Sequence, residues 1–279
     1  MNFSKMQGAG NDFVLIDARE LELDWPALAK SICHRHYGVG ADGLLLVLPS
    51  EAAEFRLRMF NPDGSEAEAC GNGLRCFAKY VRDSDFTASD EFIIETMAGT
   101  RKARILGDDE IRVGMGAPVF DPAAIPVIVE RRDEQGPVLD YSVKVDGTEL
   151  RVSFVSMGNP HAVCFLSEPI ADFPLTEIGP RVEHHRMFPN RVNFEVANVI
   201  DRNKIKARVW ERGAGETLAC GSGACAIAVI ARLKEISDNP VDIVLPGGTL
   251  IVDWNGSGEM LLSGPARLVF HGVWEDHPD

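Results

Sequence analysis

The stretch Glu211 to Ala231, ERGAGETLACGSGACAIAVIA, decides the fold because it occurs twice. Its counterpart in the first half of the chain is Asn61 to Val81, NPDGSEAEACGNGLRCFAKYV. The copies stay in register without a gap through Arg58/Arg208, Glu66/Glu216, Ala69/Ala219, Cys70/Cys220, Gly71/Gly221 and Gly73/Gly223. Each presents Ala-Cys-Gly-polar-Gly and then a run compatible with a helix, Leu74 to Arg82 and Ala224 to Lys234. A glycine-rich turn ahead of such a run predicts that Cys70 and Cys220 each lie at a helix N-terminus. The free N–H groups and positive dipole end found there stabilise a thiolate and bind a carboxylate.

Outward from these two sites the duplication continues. Phe3 to Asp17 contains MQGAGNDFVLID, a strand interrupted by a glycine-rich turn that exposes Asn11; SMGNPHAVCF, within Val152 to Phe165, repeats it with Asn159 in the place of Asn11. Asp24 is expected to cap a helix with Pro26 in its first turn, running through Ala27, Leu28, Ile32 and Cys33. A second helix is expected near Thr176 to His185. GVGADGLLLVLP, Gly38 to Pro49, enters a buried strand mirrored by Arg191 to Val196, and the alternating strand Phe55 to Phe60 is mirrored by Ile205 to Trp210. Strands are also expected at Phe92 to Glu95, Ala103 to Leu106 and Ile111 to Val113. Ala98-Gly99-Thr100 is answered by Gly247-Gly248-Thr249, and Met115-Gly116-Ala117 by Gly264-Pro265-Ala266. Only Pro118 to Gly147, with four prolines and the charged run Glu130 to Glu134, stands outside the repeat, as a strand plus connecting loops between lobes. The expected fold is therefore α/β (α+β), a duplicated unit of several strands and two helices related by an approximate two-fold.

With 45% hydrophobic and 25% charged residues in 279, the composition is that of a globular protein long enough for two cores. A net charge of −14 and a pI near 5.0 argue against nucleic acid or an anionic membrane as partner. The opening MNFSKMQGAGNDF lacks the pattern of a secretory leader, and no apolar run approaches the ~18 residues of a membrane span. The cytoplasm is the expected location. Six cysteines without a CxxC pair, and no histidine completing a site beside Cys70 and Cys76 or Cys220 and Cys225, argue against structural zinc.

About a pseudo-dyad, equivalent residues near the axis face each other, so Cys70 and Cys220 are expected to flank one small ligand. Inverting a carbon stereocentre needs a base on one face and an acid on the other. A thiolate and its thiol fill both roles, provided a pKa near ~8.5 is pulled toward neutrality, which a helix N-terminus can do. The N–H groups of Gly71, Asn72, Gly221 and Ser222 would hold the substrate carboxylate and stabilise charge developing at Cα. Other residues have plainer readings when taken singly. Cys33 and Cys164 read as buried packing residues, and Cys76 and Cys225 read either way. Asn11 reads as a turn former, His161 as a surface histidine, and Glu211 with Arg212 as a solvated pair worth under ~1 kcal/mol.

Five motifs carry a resemblance over essentially the whole chain: GAGNDF at Gly8 to Phe13, NPDGSEAEACGNG at Asn61 to Gly73, GNPH at Gly158 to His161, RVNFE at Arg191 to Glu195 and ERGAGETLACGSG at Glu211 to Gly223. On these the chain resembles the diaminopimelate epimerases, cofactor-independent enzymes that interconvert LL- and meso-2,6-diaminopimelate in lysine and cell-wall precursor biosynthesis. The resemblance implies Cys70 and Cys220 as the two acid/base residues, with His161 and Glu211 assisting their proton transfers. It implies substrate contacts from Asn11, Asn61, Asn159 and Asn193, from Glu211 and Arg212, and from the Gly71-Asn72 and Gly221-Ser222 backbones. It also implies two lobes, 1–115 with about 265–279 and 116–264, each a curved, mostly antiparallel sheet around a central helix, with the active site in the cleft between them. No metal or pyridoxal cofactor and a homodimeric assembly are expected. Gly43 departs from those relatives that carry glutamine there, so a side-chain contact from that strand is lost.

Among rivals, a proline or hydroxyproline racemase shares the two-thiol logic, but Arg212 and the four asparagines suit a substrate with a second polar end. A phenazine-pathway type of isomerase shares the fold without needing paired cysteines. A thiol redox or metal-buffering protein is a reading from another class, disfavoured by the absence of CxxC.

Overall fold

In the computed structural model the chain forms two compact units, Met1–Gly114 with Ser263–Asp279, and Met115–Leu262. The described residues are 1–67, 70–130 and 136–275. Ala69 of the first cysteine repeat, the charged run beyond Glu130 and the chain end after residue 275 lie outside them.

In the first unit β1 (Asn2–Gly8) and β2 (Asn11–Asp17) form a hairpin around Ala9 and Gly10, both at positive φ. Asp24 then caps α1 (Trp25–Ile32), its carboxylate accepting the Ala27 N–H at 3.0 Å, with Pro26 in the first turn. There the ring's missing N–H leaves no bond unmade. The chain next enters β3 (Gly43–Leu48), parallel to β2, and returns antiparallel in β4 (Phe55–Phe60). Beyond the short β5 (Glu66–Ala67), α2 (Gly71–Asp83) crosses to β6 (Glu91–Thr96), parallel to β4, and β7 (Gly99–Ile105) and β8 (Glu110–Gly114) follow antiparallel. Each parallel step carries a helix because parallel neighbours need a crossover.

The second unit repeats this plan. β9 (Tyr141–Val145), β10 (Thr148–Ser156) and β11 (Pro160–Phe165) are antiparallel; α3 (Leu175–Glu183) leads to β12 (Asn193–Asp201), parallel to β11; and β13 (Lys204–Glu211) returns. After β14 (Gly215–Thr217), α4 (Gly221–Leu233) crosses to β15 (Val241–Leu245), parallel to β13, and β16 (Gly248–Asp253) pairs with it. The last strands are β17 (Leu261–Pro265) and β18 (Arg267–Val273), the latter antiparallel to β1. Strand for strand, β10 to β16 reproduce β1 to β7, and α3 and α4 reproduce α1 and α2, giving the duplicated, mostly antiparallel sheet that the sequence predicts.

Each unit is layered. Leu44, Leu46, Val14 and Ile16 fill the space under α1, while Leu45 and Phe13, alternating with them, lie against the start of α2. A strand buried on both faces loses polar alternation, which is why LLLVL reads as one apolar run. Phe154, Phe194 and Val196 do the same in the second unit, packed with Ile178 and Val182 of α3. Each such fully buried side chain contributes roughly 1.5–3 kcal/mol.

The two central helices differ from expectation at their starts. They begin at Gly71 and Gly221, so the glycines expected to form the preceding turn are first-turn helical residues. Their small size matters for proximity: a Cβ at Gly73 would lie 3.3 Å from Met59 Sδ, and one at Gly223 would lie 3.0 Å from Glu195 Oε1. Glycine here lets a helix tip settle onto the sheet.

The same constraint holds α3 against β13. A Cβ at Gly179 would lie 2.6 Å from the Trp210 ring, whose Nε1 donates to Glu183 Oε2 at 2.8 Å. Gly179→Ala is expected to lower unfolding stability by about 1–3 kcal/mol, as overpacking does. Urea denaturation measures this; an unchanged midpoint would show that α3 is not clamped there.

Candidate active site

In the first unit Cys70 is the N-cap of α2, with extended backbone (φ −139°, ψ 123°). Its Sγ lies 3.7 Å from Asn11 Oδ1, the oxygen that also accepts from Asn72 Nδ2 at 3.2 Å. Asn11, at the start of β2, is fixed from its other end: Nδ2 donates to Asp42 Oδ2 at 2.7 Å. Arg35 bridges Asp42 and Asp12, at 2.6 and 2.7 Å, and Lys5 pairs with Asp12 as well. Burial alone would raise the Asp12 carboxyl, but the hydrogen bonds from Arg35 and Lys5 outweigh it and hold the group at about 2. On the helix side the fully buried Arg75 donates to Asn72 Oδ1 at 2.8 Å and to the Gly71 carbonyl at 3.3 Å. Asn11, Cys70, Gly71 and Asn72 are thus brought together. Asn61 opens the turn between β4 and β5, where its Nδ2 donates to Ser65 Oγ at 2.9 Å and its carbonyl accepts from Gly64 N–H at 2.9 Å.

In the second unit Cys220 is the N-cap of α4, and it is buried. Its sulfur accepts the Gly223 N–H at 3.4 Å and lies 3.5 Å from Ser222 Oγ. The parallel pairing of β11 with β12 sets His161 opposite Asn193. His161 is fully buried, which corrects its reading as a surface histidine: Nδ1 lies 2.7 Å from Glu195 Oε1 and Nε2 lies 2.9 Å from Asn159 Oδ1. Asn193 is buried too and serves as a clamp. Its Nδ2 donates to the Pro160 carbonyl at 3.0 Å while Oδ1 accepts the Arg212 N–H at 2.9 Å, tying β11, β12 and the end of β13 together. Glu211 closes β13 and accepts from Thr217 Oγ1 at 2.6 Å; the exposed Arg212 guanidinium donates to the Asn190 carbonyl at 3.1 Å. The solvated Glu211–Arg212 pair considered from sequence is therefore replaced by separate partners.

The electrostatics bear on a point that the sequence leaves open. Burial pushes the Cys220 thiol well above its ordinary range, the Glu211 carboxylate pushes it further, and the contacts from Ser222 and the Gly223 N–H only partly counter them. The helix end is present, but desolvation wins, so Cys220 rests as a thiol. Burial likewise raises Cys33 and Cys76 to about 12 and Cys164 to about 11, as suits packing residues. Cys225 is buried as well. Among the described residues no cluster of His, Cys, Asp or Glu has the arrangement of a metal site.

Three charged residues near the cysteines were not singled out from sequence: Asp42, Arg75 and Glu195. The signal available was a charge inside an otherwise apolar run, as with Arg75 in GLRCFA and Glu195 in NFEVANV. Such residues are rarely buried without a partner.

The sequence profile of the family described as diaminopimelate epimerase matches residues 3–120 and 153–269. Diaminopimelate epimerases from Moorella thermoacetica and Acetivibrio thermocellus are 47% and 45% identical to this chain, each over 98% of both sequences. Among solved structures, a phenazine biosynthesis protein from Bacillus anthracis is similar at 18% identity with a TM-score of 0.65, over 98% of each chain. A hydroxyproline epimerase from Agrobacterium vitis is similar at 14% identity and a TM-score of 0.67, over 98% of this chain and 91% of that one. These structural likenesses bear on the fold alone, which is the duplicated α/β one described above. The profile match and the identities carry the assignment: the chain belongs to the diaminopimelate epimerase family.

Proposed function

We propose that this protein is a cofactor-independent isomerase that interconverts LL- and meso-2,6-diaminopimelate, in lysine and cell-wall precursor biosynthesis. The observation that carries the reading is the repeated N-cap cysteine, Cys70 on α2 and Cys220 on α4, in a chain of this family. One sulfur, as thiolate, takes the Cα proton; the other, as thiol, delivers a proton to the opposite face. The electron pair left at Cα is held in conjugation with the carboxylate until reprotonation, and the enzyme ends with the thiol and thiolate exchanged. His161 and Glu211 assist these transfers.

The substrate carboxylate at the reacting end is received by the first N–H groups of the two helices, Gly71 and Asn72 on α2 and Gly221 and Ser222 on α4. Helix-opening N–H groups have no carbonyl within the helix to receive them. Asn11 is supported as a neighbour of the reacting centre by its oxygen facing Cys70. Asn61, Asn159 and Asn193 complete the polar surround, Asn193 through the backbone that it fixes. The distal amino-acid end is assigned to Arg212, whose planar guanidinium suits a carboxylate, and to Glu211, which accepts from ammonium. A proline-type substrate has only one polar end and would leave Arg212 without a task.

The site thus has three small-molecule roles and needs neither nucleic acid nor membrane. No helix among the described residues is long and apolar enough to cross a membrane. We place the protein in the cytoplasm as a homodimer. The assembly is supported by exposed apolar side chains on β18, Leu268, Val269, Phe270 and Val273, a seam not evident in the sequence.

The purified protein, freed of any pyridoxal phosphate, is expected to convert LL-diaminopimelate to the meso isomer, resolved by chiral chromatography, and to leave proline and hydroxyproline unchanged. Turnover of proline with none of diaminopimelate would replace the substrate assignment. The Cys220 environment adds a pH test. Replacing Glu211 by glutamine removes the negative charge that helps raise the thiol, so the pH inflection for iodoacetamide labelling of Cys220, followed by peptide mass spectrometry, is expected to move to lower pH. An inflection that stays put or rises would contradict the role given to that carboxylate.

A further inference from the structure

Glu195 is fully buried on β12, and its two oxygens are unequally served. Oε1 meets His161 Nδ1 at 2.7 Å, whereas Oε2 is buried without a hydrogen-bond partner. Oε1 also lies where a Cβ at Gly223 would be only 3.0 Å away, so the carboxylate sits directly behind the first turn of α4, next to Cys220. Burial raises the Glu195 carboxyl, His161 on β11 counters this by its charge and hydrogen bond, Glu211 on β13 raises it further and the Ala162 backbone opposes that; Cys220 at the N-cap of α4 also faces the carboxylate. Burying a carboxylate with one oxygen unserved costs several kcal/mol unless a cation balances it.

The first unit shows that the fold does not require this arrangement. Strand registers equate the pair His161 and Asn193 with Phe13 and Gly43, and therefore Glu195 with Leu45. The packing agrees: a Cβ at Gly73, the counterpart of Gly223, would meet Leu45 at 3.5 Å and Phe13 at 3.6 Å. Phe13 and Leu45, both buried, do the packing task there without charge. Apolar replacement of a buried ion pair is commonly neutral or stabilising, so packing alone gives no reason to keep Glu195 and His161.

We propose that Glu195 is a positioning residue for proton transfer, which binds the Nδ1–H of His161 and thereby directs Nε2, the nitrogen beside Asn159, to be the atom that gains and loses the proton. This rests on the role given above to His161. Both ring nitrogens face acceptor oxygens, Glu195 Oε1 and Asn159 Oδ1, which is the arrangement of an imidazolium donating to both; the buried carboxylate stabilises that charge and retains the Nδ1–H, so Nε2 is the position that exchanges. No proton leaves Nδ1 and no bond to carbon forms at Glu195. Its charge sets how readily His161 holds a proton beside the Cys220 helix.

The test compares wild type with Glu195→Gln and Glu195→Asp. Glutamine keeps an acceptor for Nδ1–H but removes the charge. We expect kcat for the epimerisation to fall on the order of 10- to 100-fold in Glu195→Gln, with KM changed by less than about 3-fold, and partial recovery in Glu195→Asp. Nitrogen-15 NMR of the His161 ring is expected to show Nδ1 protonated throughout and the Nε2 titration midpoint lowered in Glu195→Gln. A folded Glu195→Gln variant with wild-type kcat and an unmoved midpoint would overturn the proposal. If Glu195→Gln does not fold, the wild-type spectrum decides alone, since a neutral ring protonated on Nε2 overturns it and one protonated on Nδ1 supports it. Absence of epimerase activity in the wild type would instead count against the functional reading, and the ring spectrum would still report on the Glu195–His161 bond.

Discussion

A cysteine held as the N-cap of a buried helix is the constraint from which the rest of the structure follows. The cap position leaves the thiol outside the helix while the opening N–H groups converge beside it. To bring that tip against the sheet, the third residue after each cysteine has to be small. Gly73 rests against Met59 and Gly223 against Glu195. The crossovers between parallel strands then fix where each tip emerges, because α2 links β4 to β6 and α4 links β13 to β15. The chain builds this arrangement twice, and two sulfurs are what inversion at one carbon requires.

Duplication of the scaffold did not duplicate the chemistry. Behind Cys70 the sheet offers Phe13 and Leu45, while the polar support comes from the Arg75–Asn72–Asn11–Asp42 chain. Behind Cys220 the sheet offers His161 and Glu195, and Cys225 occupies the position equivalent to Arg75. Buried Arg75, on the Gly71 carbonyl and Asn72 of one helix tip, and the carboxylates of buried Glu195 and half-buried Glu211 near Cys220 bias local charge in opposite directions. On the proposed two-thiol mechanism the reaction begins from one thiolate and one thiol, and surroundings that differ in this way would favour unequal partners.

Much of this was legible in the sequence because it is local. The capping Asp24, the Ala9-Gly10 turn ahead of Asn11 and the cysteine-to-helix junctions each involve residues close together in the chain, and the internal repeat multiplied the signal. What stayed hidden depends on contacts across long separations. Glu195 and His161 meet only because β11 and β12 pair in parallel through α3, and the buried character of His161 comes with that pairing. The thiol state of Cys220 was not legible for a related reason: a helix end can be read from sequence, whereas desolvation depends on how completely α4 is enclosed. The helical state of Gly71 and Gly221 was missed because glycine signals a turn unless the space around it is known.

Hydrogen exchange at Cα reports most directly on whether both sulfurs act on one carbon. In deuterated water, wild type should wash deuterium into Cα from either LL- or meso-diaminopimelate, and Cys70→Ser and Cys220→Ser should each lose interconversion by at least about 100-fold, as expected when a general acid or base is removed. Retention of wild-type interconversion by either serine variant would mean that one cysteine is dispensable and would contradict the two-thiol account.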